Sequence, residues 1–129
     1  MHMADALLSP SVGLTMSAVT AFTLAYAVKK TAADSTFNDK KIPMMGIMGA
    51  FIFAAQMVNF TIPGTGSSGH IGGGILLAAV LGPWPALLTI TAVLTIQALF
   101  FADGGLLALG CNIFNMGVCA CLLGYIGVF

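Results

Sequence analysis

Two ionic side chains are missing altogether: the 129-residue sequence contains no arginine and no glutamate. Charged residues make up 6% of the chain, against roughly 25% in a soluble globular domain. Lys29, Lys30, Lys40 and Lys41 are the only lysines, and the net charge is zero. No basic patch can be assembled from them, which argues against nucleic acid as a partner, because binding it requires many neutralised phosphates. Hydrophobic residues are 59% of the chain and mean hydropathy is +1.04. So few polar side chains cannot clothe a soluble fold. The length suits one domain, residues 1–129, and the class is an integral membrane protein lying in a lipid bilayer. A secretory leader is argued against by the missing basic n-region: the first lysine stands at position 29, so the first apolar run is expected to be retained as a helix. Cysteine is scarce as well. Cys111, Cys119 and Cys121 are odd in number, and their spacing is not that of a usual zinc site, so they are read as small apolar helix residues.

Long apolar runs are what the sequence has. Ser9-Pro10 is a helix start, with Ser as N-cap and Pro at the first helical position. From Pro10 to Lys30 the run is roughly 31 Å of helix, one bilayer core. Its Ser and Thr residues suit helix–helix contact better than lipid. The stretch 31–42 is a polar loop with Lys29 and Lys30 just before it and Lys40 and Lys41 within it, and by the positive-inside rule it is cytoplasmic, which puts the N-terminus outside. A second helix is expected from Pro43 to about Phe60. It ends in "NFTIPGTGSSGHIGGG", whose exposed backbone is intolerable against lipid and must sit in water or line a cavity. A third helix, about Ile71–Leu81, reaches roughly 17 Å, half a membrane. "GPWP" breaks it, a fourth helix covers about Trp84–Ala102, "ADGG" turns, and a last apolar run covers Leu106–Phe129. The fold expected is an all-α polytopic helical bundle with a Gly-rich loop and a half-length helix after His70.

The chemistry centres on the two histidines, His2 and His70. The Met1 amine, the His2 amide and the His2 ring Nδ1 follow one another in sequence. A metal bound by all three closes a five-membered and a six-membered ring, both of low strain. The amide must lose its proton, which takes a strongly polarising late transition metal, and fused chelate rings favour a plane. Planar nitrogen sites point to Ni(II) or Cu(II). The fourth donor should be a neutral nitrogen, and His70 is the only other imidazole. The segment before Pro10 is surplus to the first span and reaches up to about 30 Å when extended, enough to fold back into the bundle and meet His70. An amidate and three neutral nitrogens leave a divalent ion at a net charge of about +1, and binding should release protons and weaken in acid.

Asp103 lies in a Gly-Gly turn and is read either as a turn former or as an intramembrane functional acid. Asn59, Gln97, Asn112 and Asn115 either hold helices together or hydrogen-bond the outer nitrogens of the histidines. Met44, Met45, Met48 and Met57 are read as packing residues. Gly64–Gly69 is no P-loop, because no lysine follows it.

"MHMADALLSP", "KIPMMGIMGAFIFAAQMVNFTIPGTGSSGHIGGG", "LGPW" and "FFADGGLLALGCNIFNMG" together resemble the CbiM/NikM family, the substrate-binding membrane subunits (S components) of cobalt and nickel energy-coupling-factor ABC transporters. The resemblance runs from residue 1 to about 117. It implies metal ligation by Met1, His2 and His70, with Ni(II) or Co(II) as transported substrate and no organic cofactor. It implies a transmembrane coupling subunit, ATPase subunits and a small accessory membrane subunit as partners, a place in the cytoplasmic membrane, and a link to cobalamin biosynthesis. Family members continue with further membrane helix, so the chain is expected to be the N-terminal part of a longer fold. No nucleophile–base or carboxylate pair supports an enzyme. A channel with a re-entrant Gly-rich loop is the alternative.

Overall fold

The computed structural model describes residues 2–34, 39–65 and 67–128. Met1, expected to supply the amine, lies outside the described residues, as does the middle of the polar loop, residues 35–38.

The first long helix, α1 (Pro10–Ala33), begins where the Ser-Pro pair directs it: Ser9 Oγ accepts from the Val12 amide at 3.4 Å, with Pro10 at the first helical position. Lys41 Nζ stands 3.6 Å from Asp34 Oδ2, tying the start of α2 (Lys41–Met57) back to the end of α1. α2 stops at Met57 rather than running to about Phe60. Val58 leaves helical geometry, and the Gly- and Pro-rich stretch folds into a small antiparallel hairpin, β1 (Phe60–Ile62) against β2 (Ser67–Gly69). Phe60 pairs with Gly69 and Thr61 with Ser68. Backbone that cannot be helical thus pairs with itself, which the apolar surroundings demand. Gly64, at φ +76°, supplies the left-handed turn residue.

The half-length helix is shorter than expected. α3 is Gly74–Leu81, eight residues and about 12 Å. Its start is delayed by Gly73, at φ +80°, so that His70 to Gly73 stay outside the helix, next to the hairpin in the chain. Gly82 breaks the chain at φ +87°, Pro83 restarts it, and α4 (Pro83–Phe101) crosses the centre of the molecule. α4 packs on α1, α2, α3 and α5, and Leu77, Leu81, Leu87, Ile90 and Leu94 form the buried core between them. The last apolar run is one continuous rod of α5 (Leu109–Ile113), a π-helical stretch (Phe114–Leu123) and α6 (Gly124–Val128). The wide π turn was not foreseen: its sequence reads like any apolar helix. Of the cysteines, Cys111 and Cys121 are buried and all three are free. The chain is mostly helical, and among the described residues three segments are long and apolar enough to cross a membrane: Pro10–Ala33, Pro83–Phe101 and Leu109–Gly127.

α1 and α5 approach backbone to backbone. Thr20 Oγ1 donates to the Gly110 carbonyl at 2.9 Å, and a methyl on Gly110 would lie 2.6 Å from the Ser17 Cα. Small residues permit this, as is usual between membrane helices. Gly110→Ala should therefore force α1 away and lower stability by roughly 1–3 kcal/mol, the usual range for overpacking. A thermal melt of the detergent-solubilised protein against wild type measures it, and an unchanged melting temperature would contradict the close approach.

Candidate metal centre

The chain before α1 does not trail into solvent. A single 3₁₀ turn (Asp5–Leu7) folds it back, and His2 is 2% exposed. Three groups hold it there. The Met3 amide donates to Asn112 Oδ1 at 2.8 Å, and Asn112 Nδ2 returns a bond to the Met3 carbonyl at 3.2 Å. That carbonyl also accepts from the Gly105 amide at 3.1 Å. Asp5 Oδ1 accepts from the Ala108 amide at 2.9 Å. Gly104, at φ +93°, lets the turn after α4 pass close over His2, where a side chain would lie 3.1 Å from the His2 Cβ.

The hairpin delivers His70 to the same place. His70 Nε2 lies 3.0 Å from His2 Nδ1, 68 residues away in sequence. His70 Nδ1 lies 2.8 Å from the Ile71 carbonyl oxygen. A carbonyl only accepts, so Nδ1 carries the hydrogen and Nε2 presents a lone pair towards His2. Asp103 Oδ1 stands 3.3 Å from His2 Nδ1. The Asp103 carboxylate also accepts from Ser68 Oγ at 3.3 Å and, through Oδ2, from Asn59 Nδ2 at 3.4 Å. Burial pulls the His2 pKa down to about 4; Asp103 opposes the shift, and the neighbouring His70 adds to it. Burial lowers the His70 pKa too. Both rings are therefore neutral at physiological pH, the form in which imidazole is a ligand. Two nitrogens at right angles around a metal about 2.05 Å away lie roughly 2.9 Å apart, close to the observed spacing. A cavity of 320 Å³ opens onto this point, lined by His2, Asp103, Ser68 and Asp5 among others. A cation entering it passes two carboxylates.

Of the residues singled out in the sequence, His2 and His70 are brought together, and Asp103 and Asn59 join them through the carboxylate. The turn expected at Asp103 is present, and it sets the carboxylate beside His2. Asn112 clamps Met3 rather than a ring nitrogen. Asn115 is exposed and does not contribute to the histidine pair. Ser68, Asp5 and Gln56 were not singled out. Gln56 carried a signal, an amide inside an uncharged apolar helix; Ser68 and Asp5 carried none beyond proximity.

Because Met3 is held at both its amide and its carbonyl by Asn112, Asn112→Ala should free residues 2–5. The loss of a two-bond contact that leaves the half-buried Met3 amide unpaired is expected to cost about 1–3 kcal/mol. Hydrogen exchange at the Met3 to Asp5 amides should rise sharply in the variant, while α4 amides stay protected.

The chain as a whole is similar to known proteins. A metal transport protein of Haloquadratum walsbyi, so named provisionally, is 45% identical over 129 residues, covering 100% of this chain and 57% of the relative. A probable fused nickel transport protein of Lactiplantibacillus plantarum is 41% identical over 125 residues, 97% of this chain and 38% of the relative. The crystal structure of a truncated transition metal transporter superposes with a TM-score of 0.89 at 45% identity, covering 97% of this chain and 57% of that one. The chain thus spans little more than half, or less, of the length of these relatives. Residues 2–129 match the model of the cobalt uptake substrate-specific transmembrane region, CbiM, and the chain belongs to that family of membrane proteins.

Proposed function

We propose that this chain captures Ni(II) or Co(II) from outside the cell as the substrate-specific part of an energy-coupling-factor uptake transporter. The observation that carries the reading is the contact between the two histidines of the chain, nitrogen to nitrogen at 3.0 Å, with the pKa of each ring lowered by its burial. Among the described residues, no group of three or more His, Cys, Asp or Glu side chains is set to hold a metal. The remaining donors in this reading are backbone groups: the Met1 amine and the His2 amide, with His2 Nδ1 completing the chelate and His70 Nε2 closing the plane. The printed names of the relatives, nickel and metal transport proteins, support the choice of substrate. The chain would work with a transmembrane coupling subunit, ATPase subunits and a small accessory membrane subunit, with its N-terminus outside and residues 31–42 in the cytoplasm. The N-terminal segment carries three of the four donors and is fastened by a few hydrogen bonds at Met3 and Asp5, so it is the natural gate.

Titration of the purified protein with nickel chloride, followed optically, tests this. A planar d–d band should appear in wild type, and His2→Ala and His70→Ala should each weaken binding by at least roughly 100-fold, beyond the loss typical of an outer-shell change. One residue added before Met1 displaces the amine and should abolish the band; in a channel it would change nothing. No band in wild type would sink the proposal.

The pH dependence has a definite slope. Both rings have pKa values below the ordinary 6.5 and are neutral above it. Between about pH 6.5 and the amine pKa near 8, binding releases one proton from the amine and one from the amide. The logarithm of affinity should rise there with a slope near two, falling to one above the amine pKa. A slope near zero across this window would exclude amine and amidate ligation.

A further inference from the structure

Three glycines in a row, Gly72, Gly73 and Gly74, follow His70 and Ile71. Gly72 and Gly73 lie outside α3, between the hairpin and the helix. Glycine has the least preference for any one backbone conformation, so such a stretch cannot fix itself. His70 depends on it directly. Its Nδ1 donates to the Ile71 carbonyl at 2.8 Å, so the ring hangs on the peptide that joins Ile71 to Gly72. Where that peptide goes, the ring goes.

α2 supplies a restraint. Ile52 and Gln56 stand four residues apart, on one face of the helix. A side chain on Gly73 would lie 2.8 Å from Ile52 Cγ2, so the glycine stretch runs directly against Ile52. Gln56 Nε2 donates to the Gly72 carbonyl at 2.7 Å. Gln56 is itself held, because its Oε1 accepts from Gln97 Nε2 on α4 at 3.0 Å. The Gly72 carbonyl only accepts, which fixes the sense of both amides. Cys121 Sγ reaches the Gly74 carbonyl at 3.4 Å, but a thiol is a weak donor and Gly74 already belongs to α3. Gln56 and Gln97 are both 0% exposed, in helices that bury little else that is polar. Packing alone does not call for them. Gln97 Oε1 is buried without a partner, and apolar side chains of the same size would leave no such atom.

The geometry points to Gln56 as a positioning residue for His70. Anchored by Gln97, it pins the Gly72 carbonyl to the bundle, restrains the glycine stretch, and so keeps His70 Nε2 at 3.0 Å from His2 Nδ1. The inference deepens the metal-capture reading of the same site and rests on it for its purpose: the bundle, rather than the loop that carries it, sets where His70 presents its nitrogen. Gln56 acts through the Gly72 backbone, and on the metal only through His70.

The 129-residue chain in detergent, with its histidine rings labelled with carbon-13, tests this first without metal. The ring centroids of His2 and His70 are 4.8 Å apart, so an NMR cross-peak should join their ring hydrogens in wild type. Gln56→Met keeps the length of the side chain and removes the donor, and the cross-peak should fall several-fold. Gln97→Met added to it removes both amides, leaves no Gln97 donor orphaned, and should give the same loss. Nickel chloride affinity, measured by calorimetry, should drop about 10- to 100-fold in both variants, the range for an outer-shell partner. In a His70→Ala background Gln56→Met should cost nothing further, because the two residues act as one. A double variant that melts like wild type and keeps the cross-peak overturns the inference, as does a wild type without the cross-peak. So does an equal loss of affinity with and without His70, which a merely structural role would give. A wild type that shows the cross-peak but binds no nickel sinks the capture reading alone, and the cross-peak in the variants then decides the positioning of His70.

Discussion

Two neutral imidazole nitrogens 3.0 Å apart, His2 buried and His70 half-buried, are the contact on which the rest of this molecule depends. Rings held that way need a cation or a well-placed proton between them, and they stay neutral only while burial outweighs the carboxylate of Asp103. The hairpin brings one ring, the folded-back N-terminal segment brings the other, and the turn just past α4 brings Asp103. The hydrophobic effect supplies none of this geometry. It sets the walls within which a few hydrogen bonds decide where each nitrogen points.

Those walls follow membrane rules. Where helices must approach closely, glycine and hydroxyl side chains stand at the contact, as at Gly110, Ser17 and Thr20. Where the backbone cannot be helical, between Phe60 and Gly69, it pairs with itself. Buried amides are confined to places where each has a partner of opposite sense: Gln56 with Gly72, Gln97 with Gln56, Asn112 with Met3. The one exception among the described amides is the Gln97 oxygen, buried without a partner.

Much of this could be read from the residues. Ser9-Pro10 marked the start of α1 because capping is a local interaction. His2 and His70 could be paired because the sequence has no third histidine. The hairpin could not be foreseen: a run of Gly, Ser and Thr says only that helix is unfavourable, and pairing of Phe60 with Gly69 is a tertiary event. The start of α3 slipped from Ile71 to Gly74 because Gly73 takes a left-handed conformation that composition does not reveal. The π turns left no mark at all. Asn112 and Asn115 are the same amide three residues apart, yet one is buried on Met3 and the other exposed, a difference set by the rotation of a helix whose neighbours the sequence does not name. In the sequence Asp103 reads as either a turn former or a functional acid; the fold puts its turn directly over His2, so the two readings are compatible.

The bonds between Met3 and Asn112 join residues 109 positions apart. During synthesis the N-terminal segment appears first, yet its fastening point arrives with α5, when most of the described chain has been made. Until then the segment has no partner for its backbone and His2 no cover from the turn at Gly104. The centre is therefore the last part of the bundle to assemble, although it contains residues translated before any of the long helices. A formed His2–His70 contact certifies that the helices between them are already in place.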